Sequence, residues 1–582
     1  MPDYQSDPLE YARALIDTGD KYYDVHRDEI DKAKKHYQLK SDHMTIRGSI
    51  PGRKGHYIPE LHPAIFSRAS RIFNAFLQGD PALKFNARSP AVAGSNPMLD
   101  ESINRLETWV NGSFKEGGLW MSWFEAILAA EMYPYSPVYL GWEEKFGPVP
   151  QYNMLQNKID YKDYIIYAGS YLDAIPIENY RGDLKARRQS DMTFHARIKQ
   201  VDLGYIRSNA KQGYYPFFDE MRINDIKKSH WAIKRTADRL IQGYEQVDDE
   251  DIDLIEVYCK IYDEESDQNV WRIVTFAGSM LLNERSSPYF DLGAPFRLLT
   301  SKILPGETSG IPTAQLGDAT QNMLNELWNQ TLEGNEQAVW SPTLYKGDAP
   351  TNPVWEPMSL WQVEDPDSFR KLVEPNLAGD SMGFIKFTEE RLQQTLNAYD
   401  ITQPLAAQSK QTLGEYQSKN QYHNDIMNVT LNIYGDALCD LTKMSLIMAR
   451  EMLPTWISLK MFGPNSILSQ ITLADLAADL VIDTPKVRGI TTEEVEIVKW
   501  QGIYSQLMSN PLIGANLGRL HELTRRFLES QDVKGIDKII GTPEEAIMQA
   551  QMMAQINALA MAGQDGGRNG IQEKGPRQVG GR

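Results

Sequence analysis

One string in the chain has the spacing of a serine nucleophile, Gly379-Asp380-Ser381-Met382-Gly383. A G-x-S-x-G sequence does acyl chemistry only as a sharp turn between a strand and a helix. It also needs an oxyanion loop before it and a placed His and acid after it. The preceding Glu374-Pro375-Asn376-Leu377-Ala378 lacks the character of a core strand, so the string reads as a loop leading into a helix. Gly306 and Gly310 suggest a phosphate loop, but no Lys-Ser/Thr follows them. His521-Glu522 stands alone without the second His of a zinc-protease helix, and reads as a surface or capping pair. Glu389-Glu390 reads as a solvated helix face, and the nine histidines are scattered. Cys259 and Cys439 are the only cysteines, too few for a disulfide framework or a thiolate metal site, and read as small buried apolar residues. Met548, Met552, Met553 and Met561 form a stripe suited to adaptable packing rather than to a cofactor. The expectation is a protein that is not an enzyme, with no catalytic residue, cofactor or metal.

The totals narrow the class further. A chain of 582 residues can form several domains or one large elaborated subunit. Its 24% charged and 42% hydrophobic residues are ordinary for a folded protein. A net charge of −18 argues against a protein that wraps nucleic acid, which would need clustered Lys and Arg. It does not argue against a surface past which DNA slides. The N-terminal Met1 to Glu10 has neither a basic nor an apolar signal region, and no run of about 18 apolar residues occurs. These features predict a chain at home in a reducing cytoplasm, with no membrane partner.

The elements follow from periodicity. Residues 9–37 read as a polar helix with a solvated face of mixed charges. A basic turn with Arg47, Arg53, Lys54 and His56 follows, read as a solvated loop in preference to a nucleic-acid contact. Ile65, Ile72, Phe73, Phe76 and Leu77 predict a helix ending at Gly79, and 80–90 a strand. Met98 to Tyr133 reads as a largely buried helical region carrying Trp109, Trp120, Trp123 and Phe124, and 137–147 as a strand. Residues 174–178 look extended, 193–200 read as a strand and 201–213 as a helix. Strong alternation over about 252–285, with acids at Asp263 to Asp267, predicts two or three antiparallel strands and a turn. The acidic run Asp248 to Asp251 reads as a solvated loop.

Gly306 and Gly310 read as a flexible approach to a helix with Pro312 in its first turn. Leu316, Met323, Leu324, Leu327 and Leu332 predict its apolar face in a Gln- and Asn-rich setting. A Pro-rich extended block follows, roughly 337–378. Phe384, Ile385, Arg391, Leu392, Leu396 and Tyr399 then carry a second helical pattern. After a loop at Ile401 to Gln411, Thr412 and Glu415 form a capping box opening a much longer helix. Met427, Leu431, Tyr434, Leu438, Leu441 and Ala449 carry its pattern to Pro454. By itself that helix suits a coiled-coil arm or a long core helix. Beyond it, residues 480–484 look like a returning strand, 491–563 like helices, and 564–582 like a Gly-rich basic tail without fixed structure.

The order helix, β excursion, helix, short loop and capped very long helix, over about 305–453, resembles the tailed-bacteriophage portal (head-to-tail connector) proteins. Residues 174–216 more loosely resemble the wing region of podovirus-type and related portals. Two departures stand out. The threonine-rich opening expected for the long helix is reduced to Gln411-Thr412-Leu413-Gly414-Glu415, and Tyr133, Pro134, Tyr135 and Ser136 stand where wing glycines are expected.

The resemblance implies an α+β subunit: a mixed α/β wing at 1–304, a first stem helix at 305–336, a β clip at 337–378 and a second stem helix at 379–399. A tunnel loop at 400–411, a long wing helix and wing return at 412–490, a helical crown at 491–563 and a disordered tail complete it. It implies a homo-oligomeric ring of about twelve subunits at a capsid vertex, assembled in the host cytoplasm, through which double-stranded DNA is packaged and ejected. The implied partners are the major capsid protein, the terminase large subunit, and later a head-completion or tail adaptor protein. Gln403, Gln408, Ser409, Lys410 and Gln411 would line the channel, and Lys346, Asp348, Trp355 and Trp361 would dock the motor. The alternative class is another virion assembly protein such as a scaffold. A hydrolase using Ser381 is a third.

Overall fold

The computed structural model describes residues 4–51, 53–77, 83–87, 97–153, 158–227, 252–263, 267–287, 293–339, 343–345, 360–362, 378–396, 413–452 and 480–483, with Tyr504, Gln506, Thr524, Phe527 and Leu528. The chain divides into two units, Met1–Val487 and Arg488–Arg582. In the second, the rings of Tyr504 and Phe527 stack with centroids 4.6 Å apart. Everything below concerns the first, a mixed α+β fold.

The N-terminal helix α1 (Pro8–Tyr37) is capped by the Asp7 carboxylate, which accepts the backbone N–H of Leu9 and Glu10. It is less solvated than its composition predicts. Ala12, Leu15, Ile16, Gly19, Tyr23, Ile30 and Ala33 recur at three- and four-residue steps and are buried. The expected turn after it contains a short helix, α2 (Asp42–Gly48). Helix α3 (Leu61–Leu77) buries Leu61, Ile65, Ile72 and Phe76. A strand, β1 (Lys84–Ala87), follows. The next helical stretch is two helices, α4 (Pro97–Glu116) and α5 (Leu119–Met132), because Gly118 takes φ 69° between them. That left-handed conformation suits a residue without Cβ. Trp109 and Trp123 are fully buried as expected.

The strand predicted at 137–147 is the start of a long ribbon. β2 (Ser136–Asn153) pairs antiparallel with β3 (Lys158–Ala174), with a bulge at Lys145/Phe146. β3 went unread in the sequence, although Tyr161, Tyr164, Tyr167 and Tyr171 are its β-forming signal. The extended segment expected at 174–178 is the end of β3 and a helical turn, followed by β4 (Tyr180–Gly182). β5 (Phe194–Val201) and α6 (Leu203–Lys211) fall where predicted, and the short α7 (Ile223–Lys227) follows. β6 (Ile252–Asp263), β7 (Gln268–Ala277) and β8 (Met280–Ser286) are the expected antiparallel strands. They extend a five-stranded sheet in the order β4-β5-β6-β7-β8. α1 covers one face, where Leu15 and Ile16 join Phe194, Ala196, Val257, Cys259 and Phe276 in one apolar cluster.

β9 (Phe296–Leu299) closes a three-stranded sheet with β2 and β3. The approach to the next helix is a fixed turn rather than a flexible one: Ile303 bridges Gly310, and the Gly310 N–H donates to Pro134 O at 2.8 Å. That helix, α8 (Thr313–Val339), leads to β10 (Thr343–Tyr345), which pairs in parallel with β11 (Leu360–Gln362). Then come α9 (Ala378–Leu396) and α10 (Leu413–Met452). At about 1.5 Å per residue α10 is on the order of 60 Å long. Finally β12 (Leu480–Asp483), a strand where one was expected, pairs with β1.

The main core lies where α3, α4, α5, β2 and β9 meet α10, with Phe76, Trp123, Ile127, Leu140, Leu298, Leu431, Tyr434, Leu438 and Leu441 packed together. Each such side chain contributes roughly 1.5–3 kcal/mol on burial. A second cluster joins α1, α3, α8 and α9 through Ala33, Leu61, Ile65, Ala314, Leu392 and Leu396. Gly317 lets the helices approach there, since a Cβ would sit 2.5 Å from Leu61.

Candidate functional site at the junction of the long helices

The helices α8, α9 and α10 converge on one buried carboxylate. Glu131, near the end of α5, has no exposed surface, and Arg68 of α3 is 1% exposed. Arg68 Nε donates to Glu131 Oε2 at 2.9 Å. Ser301 Oγ donates to the same oxygen at 2.9 Å, as does the hydroxyl of Thr313, the first residue of α8. From α10 the Tyr434 hydroxyl donates to Glu131 Oε1 at 2.9 Å. Arg68 turns its other nitrogens to the end of α9 and the middle of α10. Nη1 reaches Leu396 O, the last residue of α9, at 3.4 Å, and Nη2 reaches Thr430 Oγ1 of α10 at 3.2 Å.

Burial works to raise the Glu131 carboxyl, but Arg68, the Thr313 and Ser301 hydroxyls and nearby Lys302 outweigh it and hold the group below its ordinary value. Lys302, beside this cluster, is pushed down to about 8 by burial and by Arg68, against the pull of Glu131. Tyr434 is raised well above its ordinary value by burial and by Glu131, so its hydroxyl keeps its proton and donates. A carboxylate enclosed this way, saturated by four donors, has no oxygen to offer a substrate. Its role is structural, tying α3, α5, α8 and α10 together through hydrogen bonds.

A second polar device ties α8 to the chain before α3. Gln321, Asn325, Asn329 and Glu333 stand at four-residue steps on one face of α8, and all four are buried. They read the backbone of residues 54–61, which runs antiparallel to the helix. The Lys54 N–H donates to Glu333 Oε1 at 2.6 Å. The His56 N–H donates to Asn329 Oδ1 at 2.9 Å, and Asn329 Nδ2 returns a bond to His56 O at 2.7 Å. The Ile58 N–H donates to Asn325 Oδ1 at 2.9 Å, and Gln321 Nε2 donates to Ile58 O at 2.6 Å. The Leu61 N–H, an orphan donor at the start of α3, reaches Gln321 Oε1 at 2.9 Å. Where Gly55 passes α2 it lies against Gly48, and a Cβ on it would come 2.2 Å from Met44 O.

The basic turn expected to be a solvated loop closes this clamp. Arg47 is 6% exposed; it grips Glu333 with both terminal nitrogens and reaches Glu326 at 2.9 Å through Nε. Arg53 adds a 3.1 Å contact to Glu333, and Lys54 Nζ lies 2.9 Å from Glu336. These cations bind carboxylates of the same chain because α8 ends in acids. The apolar face predicted for α8 is likewise corrected. Leu324 is buried, but Met323 is 55% exposed and the carboxamides take the inner positions. On α9, Ile385, Leu392 and Leu396 face inward as expected, whereas Phe384 is 62% exposed.

Ser381 lies inside the first turn of α9 and has ordinary negative φ, so the strained elbow of a serine hydrolase is absent there. Of the expected docking residues, Trp361 is the middle residue of β11, opposite Leu344. Lys346, Asp348 and Trp355 lie outside the described residues, as do Gln403, Gln408, Ser409, Lys410 and Gln411, the capping Thr412, His521-Glu522, the Met stripe and the acidic run at 248–251. Cys259 and Cys439 are buried, as expected. Among the described residues no group of His, Cys, Asp or Glu could hold a metal, and no helix is long and apolar enough to cross a membrane. The Glu131 and α8 clusters were not foreseen. The signal for the second was present as carboxamides four residues apart in an otherwise amphipathic helix.

The helix pair α8/α9 around a β excursion, followed by α10, falls within the span of a family model described as phage SU10 portal protein, which matches residues 143–564. The chain belongs to this portal family. The match covers well over half of the 582 residues. Comparison with curated proteins gives no match. Portal proteins are structural virion components that form homo-oligomeric rings.

Proposed function

We propose that this portal subunit forms a ring of about twelve copies at one capsid vertex, the channel through which double-stranded DNA is packaged and later ejected. The observation that carries the reading is the succession α8, short β pair, α9, α10, matched within the portal family. In this reading α8 and α9 are the stem, β10 and β11 belong to the clip, and 400–411 is the tunnel loop. The two units of the chain correspond to wing, stem and clip on one side and crown on the other.

Gln403, Gln408, Ser409, Lys410 and Gln411 of the tunnel loop line the channel. Lys346, Asp348, Trp355 and Trp361 form the surface that docks the terminase large subunit and afterwards the head-completion or tail adaptor protein. The wing contacts the major capsid protein. Twelve copies at −18 each carry about −216, so DNA passes without sticking, because phosphate affinity depends on clustered cations. The subunit assembles in the host cytoplasm and resides in the virion.

Negative-stain electron microscopy with native mass measurement tests this. Rings with a central hole and about twelve subunits are expected. A monomer or an elongated low-order oligomer across salt conditions would point to a scaffold instead.

A further inference from the structure

A cleft of about 540 Å³ opens between the five-stranded sheet, β9 and the outer side of α10. Its floor is aromatic. The His195 ring stacks on Phe296 at 5.1 Å and nearly parallel, with Trp271 6.0 Å away. The outer edge of β9 is already closed. The Gln189 carboxamide accepts the Leu298 N–H at 3.1 Å and donates to Leu298 O. A partner therefore cannot add a strand here and must enter by its side chains. The rim is basic. Arg187, Arg188 and Lys260 are exposed, and none of them pairs with a described carboxylate. Among the lining acids, Asp440 is engaged by Arg297 at 3.5 Å and Lys443 at 3.4 Å, which leaves Asp436 and Glu307. The balance of the cleft is positive on a chain whose total is strongly negative.

We propose that this cleft receives a carboxylate-bearing segment of the neighbouring copy of the chain and is one half of the contact that closes the ring. The proposal rests on the ring reading given above. In a ring each copy uses two different patches, so a surface on one copy must complement an unlike surface on the next. A local excess of arginine and lysine that pair with no described carboxylate, on a subunit of net charge −18, is complemented by an acidic face of the next copy. The charge selects the partner and the aromatic floor excludes water beneath it.

The test is charge reversal with a matched control. Arg187→Glu/Arg188→Glu is compared with Arg207→Glu/Arg222→Glu, which changes net charge equally at exposed residues outside the cleft. Assembly is followed by native mass measurement over a concentration series. Circular dichroism and thermal melting of the subunits verify folding, and Arg187→Lys/Arg188→Lys keeps the charge. The cleft reversal is expected to need at least about tenfold more subunit to form rings, while the control and the lysine variant assemble as wild type does. Equal loss in both reversals would assign the effect to net charge and overturn the proposal, as would undiminished assembly of the cleft reversal. Intact variant rings that lose binding to a 30-base-pair DNA duplex would overturn it in favour of nucleic acid as the occupant. If wild type itself forms no ring, the ring reading fails and the proposal with it. Wild-type rings with an unaffected variant remove the cleft alone.

Discussion

Replacing Glu131 by Gln keeps the shape of the side chain but leaves Arg68 buried without its counter-charge. Breaking a buried pair from one side costs about 3–5 kcal/mol, and that loss is expected in denaturant unfolding of the variant. The pH dependence has a definite sign. The native carboxyl is held below its ordinary value of 4.5, so its stabilising effect is complete above that pH and is lost as pH falls through the lowered native value. The gap between wild type and Glu131→Gln should therefore close only in acid. Lys302 acts oppositely. Its native value near 8 lies below the ordinary 10.5, so the unfolded chain binds the proton more readily and wild-type stability rises between those values. Lys302→Met should be the more stable protein at pH 7, and its advantage should shrink as pH rises from 8 to 10.5. Little of this was legible in the sequence. Ala130-Glu131-Met132 and Ser67-Arg68-Ala69 each place a charge among small or apolar residues, which hints at close helix approach. That the two meet across 63 positions is decided by tertiary packing.

At the scale of elements, periodicity read well where one face is apolar and poorly where burial is polar. The inner faces of α9 and α10 follow their leucines, and β6 to β8 form where alternation predicts strands, although β5, β6 and β7 are buried on both faces over much of their length. α8 departs because buried carboxamides carry hydrogen bonds that leucines cannot. Asn329→Ala should strand the N–H and C=O of His56, each buried unpaired group costing about 1–3 kcal/mol. Hydrogen exchange at the amides of Lys54, His56 and Ile58 should accelerate in that variant, with the amides of α10 unchanged. Uniform acceleration across both would show that the clamp is not a separable unit. β3 escaped notice because its tyrosines mix with Asp and Lys, which breaks the apolar/polar alternation.

For the whole molecule, the succession of elements carried the family resemblance, while the partners of individual residues did not follow from it. Charge was legible at this scale and gives a measurable expectation. Assembled rings should bind a DNA duplex no more tightly than a non-specific protein does, about 10⁻⁴–10⁻⁶ M at physiological salt, in fluorescence anisotropy. Binding tighter by two orders of magnitude would mean that cations dominate the channel wall. The approach at Gly306 and Gly310, expected to flex, is instead closed by the Ile303–Gly310 bridge and by the Gly310 N–H to Pro134 O.

The clamp on α8 behaves as a vernier. Four residues of helix advance about 6.0 Å, whereas two residues of extended chain advance about 6.6–6.8 Å. The two scales slip by roughly 0.6–0.8 Å at each rung, so they can stay in step for only a few. The chain bends where the slip has accumulated: the Glu60 N–H turns back to Ile58 O at 3.0 Å before the last rung at Leu61. A single residue inserted between Lys54 and Ile58 would turn helix-facing amides away from the helix, because extended chain repeats every two residues. The length of the segment is thus gauged by the helix it lies on.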